Sequence, residues 1–220
     1  MDKDYDILKV IWHADGGEDY AKNATKYPSN ETCVGLKGYG VDCYDPATAK
    51  EQFEAYAKYH GNDGKNQFIQ FMMSFLKETA PDAETSMEII DQVLDPLKEE
   101  HPILIGNHKK HREKSEYHGH GFVGTTNLET GKMLHPTNKL NYAMAQRMAD
   151  IIQKPVELVI EKKNKKKEFE TNDTPTEANT SNAQENMTRG EEENSQNSDN
   201  KKKKNEDFTR IFYPHNTPKD

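Results

Sequence analysis

The chain has little with which to build an oxidised or membrane-embedded protein. It holds two cysteines, Cys33 and Cys43, in 220 residues, too few for the disulfide framework of a small exported domain. No apolar run approaches the ~20 residues that a membrane helix needs. The acidic start "MDKDYD" carries neither the positive charge nor the apolar stretch of a signal peptide. These absences predict reduced thiols in a cytoplasmic protein. They also empty the Asn-x-Ser/Thr sequons at Asn23 and Asn30 of meaning as glycosylation sites.

Apolar residues are scarce as well, 32% against 31% charged, with a mean hydropathy of -1.09. The scarcity is uneven. From 161 to 207 the chain reads "EKKNKKKEFETNDTPTEANTSNAQENMTRGEEENSQNSDNKKKKNED", which cannot bury enough surface to offset the entropy of ordering it. A disordered tail is expected over 161–220. Its last thirteen residues, "FTRIFYPHNTPKD", hold a small apolar cluster able to dock. The expected folded domain is 1–160, long enough for one core.

Positive charge is the next shortage. The formal net charge is -8, and residues 1–160 carry 18 Lys and Arg against 25 Asp and Glu. That argues against nonspecific nucleic-acid binding, which depends on neutralising phosphates. One segment reverses the balance: "HKKHREK", 108–114, packs Lys109, Lys110, Arg112 and Lys114 together. Neither a Gly-x-Gly-x-x-Gly fingerprint nor a phosphate loop occurs, and there is no internal repeat.

What is present is a regular alternation of elements. "DILKVIW" (6–12) is β-prone and ends at the turn "ADGG". "EDYAKNATKY" (18–27) has helix-forming residues and stops at Pro28. "TCVGLKGYGVDCY" reads as irregular strand and loop. Asp45 and Pro46 open a helix in which Phe53, Tyr56 and Ala57 fall near helical spacing, with Gly61 as its stop. "NQFIQFMMSF" (66–75) is a strand. A helix follows from a cap at Asp82, with Met87, Ile90, Val93, Leu94 and Leu97 on one side and Pro96 ending or kinking it. "PILIGNH" (102–108) and the run from Tyr117 are strands. "TNKLNYAMAQRMADIIQK" (137–154) is a helix, and "PVELVIE" a last strand. The order points to an α+β fold, a mainly antiparallel sheet with helices packed on one face.

Within this frame "EYHGHGFVG" places His118 and His120 one residue apart on a strand, so both rings project to one side. His111 lies seven residues earlier. A hairpin-like return between 111 and 118 brings three imidazoles to one point, a divalent-metal site with positions left open for substrate oxygens. The competing reading is a basic surface patch in which His108 is incidental.

The run "HKKHREKSEYHGHGFVGTTNLETGKMLH" resembles motif III of the plasmid relaxases, mobilization nucleases of the HUH endonuclease superfamily. Their pattern is His-x-Asp, then His-x-His, an apolar strand, Asn and a Glu-Thr-Gly-Lys turn. The matching positions are His111, Glu113, His118, His120, "GFVGTTN" and "NLETGK". "GNDGKNQFIQFMMSF" looks like motif II, with Ser74 at its serine. "EDYAKNATKY" looks like motif I, with Tyr20 at the nucleophile. Glu113 replaces the usual Asp, Gln70 and Met73 replace residues that are commonly His and Gln, and glycines stand where the family's strand has bulkier residues.

The resemblance implies an HUH palm and site-specific nicking and rejoining of DNA at a plasmid transfer origin. His111, His118 and His120 would hold Mg2+ or Mn2+, offsetting charge that develops on a phosphodiester. Tyr20 would attack the scissile phosphate, assisted by a carboxylate such as Glu113, and retain the 5' end as a phosphotyrosine. Ser74 would contact DNA near the cut, and Lys109, Lys110, Arg112 and Lys114 would bind phosphates. The implied partners are single-stranded or supercoiled plasmid DNA, an auxiliary DNA-binding protein and a coupling protein, with no membrane. Tyr27 competes for the nucleophile's role, and so does Tyr142, since rolling-circle initiators place theirs on a helix after the histidine pair. Further alternatives are a hydrolytic or structural metal site with no covalent step, and a non-catalytic DNA-binding remnant.

Overall fold

The computed structural model describes residues 5–12, 30–109, 115–161 and 208–213. The described residues belong to one compact unit. Its centre is a seven-stranded sheet made of β1 (Asp6–Trp12), β2 (Cys33–Tyr39), β3 (Phe68–Ser74), β4 (Ile103–Lys109), β5 (Tyr117–Gly124), β6 (Val156–Glu161) and β7 (Phe208–Tyr213). The spatial order is β2-β4-β5-β3-β1-β6-β7. Every neighbouring pair is antiparallel except β1 and β6.

Among the described residues three α-helices accompany it: α1 (Ala49–Tyr59), α2 (Ala83–Leu94) and α3 (Asn138–Ile152). The α2 start obeys its sequence, since the Asp82 carboxylate accepts from the Thr85 backbone N–H at 2.7 Å and so satisfies one orphan donor of the first turn. Pro96 ends α2 at Leu94, and the chain tightens into a 3-10 turn over Asp95–Leu97. At α1 the expected cap is different. Pro46 opens a 3-10 turn, Asp45 makes no capping bond, and the α-helix proper begins at Ala49.

Strand alternation divides the core in two. Leu8 and Val10 of β1, Ile69, Phe71 and Met73 of β3, Ile103 and Ile105 of β4, and Val123 of β5 pack with Ile90, Val93 and Leu94 of α2 and Met144 and Met148 of α3. The intervening residues Phe68, Leu104 and Phe122 face the other way, against Ala49 and Phe53 of α1. Helices therefore lie on both faces, not on one, because α1 has its own apolar stripe at Ala49, Phe53 and Ala57. α1 covers one end of its face, next to the rest of which stand the histidines.

One strand from beyond residue 160 pairs with the sheet. Phe208–Tyr213 returns as β7 and pairs with the whole of β6, from Val156 opposite Tyr213 to Glu161 opposite Phe208. The apolar cluster near the end of the chain thus joins the sheet as a strand. The helix expected over 18–27 lies outside the described residues, as does the charged stretch 162–207.

Candidate metal and DNA site

β5 carries His118, His120 and Phe122 on the face that α1 partly covers, with Gly119 and Gly121 on the other. The glycines admit α2: a Cβ at Gly119 would stand 2.1 Å from Ile90 Cδ1, and one at Gly121 would stand 2.4 Å from Leu94 Cδ1. The glycines standing where the family's strand has bulkier residues thus let a helix lie close against it. Each histidine thereby sits on a strand held from behind.

The third ring comes from β4. In the β4–β5 register His108 is directly opposite His118, and Gly106, with no side chain, is opposite His120. The three ring centres form a nearly equilateral triangle: 5.3 Å for His108–His118, 5.2 Å for His108–His120 and 5.3 Å for His118–His120. Burial pushes His108 down to about 4. His120 is pushed down to about 3, by burial first and then by its two histidine neighbours. Both are neutral at pH 7 and so keep a lone pair for a cation.

Three side chains touch these rings at Nδ1. The Nε2 of Gln70, on β3, is 2.7 Å from Nδ1 of His120. Asn30 Oδ1 is 3.1 Å from Nδ1 of His108, with the Thr32 hydroxyl at 3.2 Å. Ser74 lies across from His118 in the β3–β5 register, and its hydroxyl is 3.3 Å from that of Ser115.

Three imidazoles, two of them held neutral, fit a divalent cation in donor type and in separation. Their nitrogens are not yet gathered. Among the described residues no group of three or more His, Cys, Asp or Glu stands set to hold a metal ion. Closing the chelate requires the rings to turn about χ2, a broad and soft torsion.

The structure thus brings together His118, His120 and Ser74 from the predicted set. His108, taken from sequence as incidental, completes the triangle. His111, Tyr20, Glu113, Lys110, Arg112 and Lys114 lie outside the described residues. Lys109 follows His108 on β4 and by alternation faces the helix side. There it pairs with Glu116 at 3.1 Å and sits 5.7 Å from the centre of the Tyr117 ring, so it is not on the histidines' face. Tyr142 is half-buried on α3 and packs against the α2–α3 core, again on the side of the sheet away from the histidines.

The "NLETGK" turn is held as a unit. The Asn127 Oδ1 accepts from the backbone N–H groups of Glu129 and Thr130 at 3.0 and 2.8 Å. The Asn127 Nδ2 donates to Glu100 at 3.0 Å, and Asn62 donates to the Gly131 carbonyl at 2.7 Å. Gly131 needs its glycine, having a φ of +67°. This motif fixes where β5 ends and so supports the histidine strand.

Sequence reasoning had no access to His108 because β4 is buried on both faces from Ile103 to His108. Such a strand shows no alternation from which to read register. Asn30 was visible only as an empty sequon.

A structure of the conjugative relaxase TrwC in complex with oriT DNA matches at 14% identity and a TM-score of 0.40, covering 66% of this chain and 69% of that one. No curated protein sequence matches. The family model described as relaxase, MobA/VirD2-like, nuclease domain matches residues 20–158, well over half of the chain, and the chain belongs to that family.

Proposed function

We propose that this domain nicks and rejoins one strand of DNA at a plasmid transfer origin through a tyrosyl–phosphate ester. The observation that carries the reading is the triangle of His108, His118 and His120, placed on a sheet face that α1 covers only at one end. His108 takes the third ligand position that sequence alone assigned to His111. A divalent cation such as Mg2+ or Mn2+, bound there, supplies polarisation of the scissile phosphate and offsets the charge that develops on it.

The chain's own residues supply the rest. Burial keeps His108 and His120 neutral, so the site spends no proton exchange at neutral pH in presenting its lone pairs. The phenolic oxygen of Tyr20 bonds to phosphorus as the bond from phosphorus to the 3' oxygen breaks. The tyrosine proton passes to Glu113, and the 3' oxygen takes up a proton to leave as a hydroxyl. The 5' phosphate stays on the enzyme, so reversal needs no ATP. Ser74, beside His118, contacts the strand near the cut. Lys9 shares the face, two strands from His120 across Met72, and offers a phosphate contact that Lys109 does not. The position of Tyr142 behind the sheet favours the N-terminal tyrosine over the arrangement of rolling-circle initiators.

The test uses a supercoiled plasmid carrying the cognate origin, incubated with the protein and Mn2+ and resolved on a denaturing gel. One covalent protein–DNA adduct at a single strand position is expected, abolished by Tyr20→Phe and reduced at least 100-fold by His108→Ala. Cutting without an adduct would make the domain a hydrolase, and binding without cutting would make it a remnant. An auxiliary DNA-binding protein and a coupling protein complete the reading as cytoplasmic partners. Among the described residues no helix is long and apolar enough to cross a membrane.

A further inference from the structure

We propose that Asn30 and Gln70 are positioning residues of the histidine triangle, two neutral carboxamides that grip His108 and His120 by Nδ1 and so aim Nε2 of each at the cation. The inference rests on the reading of these rings as metal ligands; Gln70 stands in the stretch that resembles motif II, and Asn30 lies outside the three motifs.

The Asn30 contact determines a tautomer. The backbone N–H of Thr32 donates to Asn30 Oδ1 at 2.9 Å, and the Thr32 hydroxyl donates to the same oxygen at 2.7 Å. A backbone N–H can only donate, so this atom is the carbonyl oxygen, and turning the amide end for end would lose that bond. The ring nitrogen 3.1 Å from that oxygen pairs with it only as a donor. With the Thr32 hydroxyl proton on Asn30, that hydroxyl, 3.2 Å from the same nitrogen, accepts as well; this arrangement puts the His108 proton on Nδ1. Nε2 is left as the lone-pair nitrogen, the form that ligates a metal. Asn30 and Thr32 belong to the approach to β2, whose Cys33 pairs with His108. The edge strand thus sets the ring that β4 carries.

Gln70 acts on His120 from the opposite side, at 2.7 Å. Here the amide nitrogen faces Nδ1, which puts the ring proton on Nε2. Presenting the Nε2 lone pair takes a half-turn of the Gln70 amide, so that Oε1 accepts from Nδ1–H. A carboxamide permits either orientation at almost unchanged shape, and a carboxylate would permit only the accepting one. The site as built thus holds one ring in its ligating tautomer and leaves the second able to switch. Outer partners of this kind typically govern metal affinity by 10- to 100-fold, and a neutral partner makes the imidazole a weaker donor than a carboxylate partner would.

The experiment measures Mn2+ binding to the full chain without DNA, by calorimetry and by the loss of the free-ion electron paramagnetic resonance signal. Nitrogen-15 shifts of the histidine rings are recorded in parallel. Asn30→Ala and Gln70→Leu are each expected to weaken Mn2+ about 10- to 100-fold. Gln70→Glu is expected to bind more tightly than the wild type, and the metal-free His108 to show its proton on Nδ1. Unchanged affinity in both Asn30→Ala and Gln70→Leu, alongside a loss in His108→Ala, would overturn the positioning alone. Equal Mn2+ binding by the wild type and His108→Ala would overturn the ligand reading and the positioning with it. A general loss of structure is separated from both by Gln70→Glu, which keeps the side chain's size and is expected to gain affinity.

Discussion

Gly119 and Gly121 alternate with His118 and His120, so one short strand serves two surfaces at the scale of single residues. Behind the sheet the glycines make room for Ile90 and Leu94, and in front the histidines meet His108. Adding a methyl group at Gly119 puts a Cβ 2.1 Å from Ile90 Cδ1 and 2.8 Å from its Cγ1, a contact that must be relieved by moving a buried side chain. Gly119→Ala is expected to lower stability by about 1–3 kcal/mol, the usual cost of overpacking. Denaturant melts of the metal-free protein read this directly. An unchanged midpoint would mean that α2 is not seated as closely as described. His108 teaches a related lesson, since its role follows from the residue across the strand and not from its neighbours in the chain.

At the scale of elements, the edges of the sheet differ in how they are anchored. β2 is tied to α2 by Asp91, which accepts from Lys37 Nζ at 3.1 Å and from the Tyr39 hydroxyl and pairs with Lys98 at 3.0 Å. The other edge is β7, which arrives from the far end of the chain. A chain ending at residue 160 therefore strips β6 of its outer partner, β7, and leaves the backbone groups on that side open. Such a truncation is expected to retain nicking of a single-stranded oligonucleotide, because β6 and β7 lie beyond β1 from the histidines. It is also expected to melt several degrees lower than the full chain. Scanning calorimetry and a nicking assay on the two chains check both parts. Loss of nicking would mean that the tail takes part in the site.

For the whole molecule, acid weakens the fold through groups of known sign. Burial lowers the pKa of His101 against the hydrogen bond of its Nδ1 to the Gly124 carbonyl at 2.9 Å. The folded state keeps His101 neutral while the unfolded state takes up a proton. Its contribution to stability is thus complete above about pH 6.5 and declines as pH falls below it. Asp91 acts in a lower window. Burial raises its pKa, but the hydrogen bonds from Tyr39, Lys98 and Lys37 outweigh burial and hold it below the usual range, so its contribution is lost below about pH 4. Asp6 has the opposite sign, since burial raises its pKa despite bonds from Leu76 and Thr79, and stability falls as pH rises through its carboxylate range. Between pH 7.5 and 5.5 the unfolded chain takes up protons at His101, His108 and His120 that the folded state holds off, and the melting temperature is expected to fall. His101→Asn, whose amide can still donate to Gly124, is expected to reduce that slope and leave the part due to His108 and His120. An identical slope in the variant would remove His101 from the account.

Local pattern was enough for several features: the α+β class, the cap at Asp82, the stop at Pro96 and the shared face of His118 and His120. Each depends on periodicity or on backbone geometry within a few residues. The tertiary structure alone decided the partner of that pair, the Asn30 and Gln70 contacts, the second helix layer under α1 and the return of β7. These depend on register between strands far apart in the chain. β4 could not announce its register because apolar residues line both of its faces, and β7 could not announce its partner because it is separated from β6 by a long charged stretch.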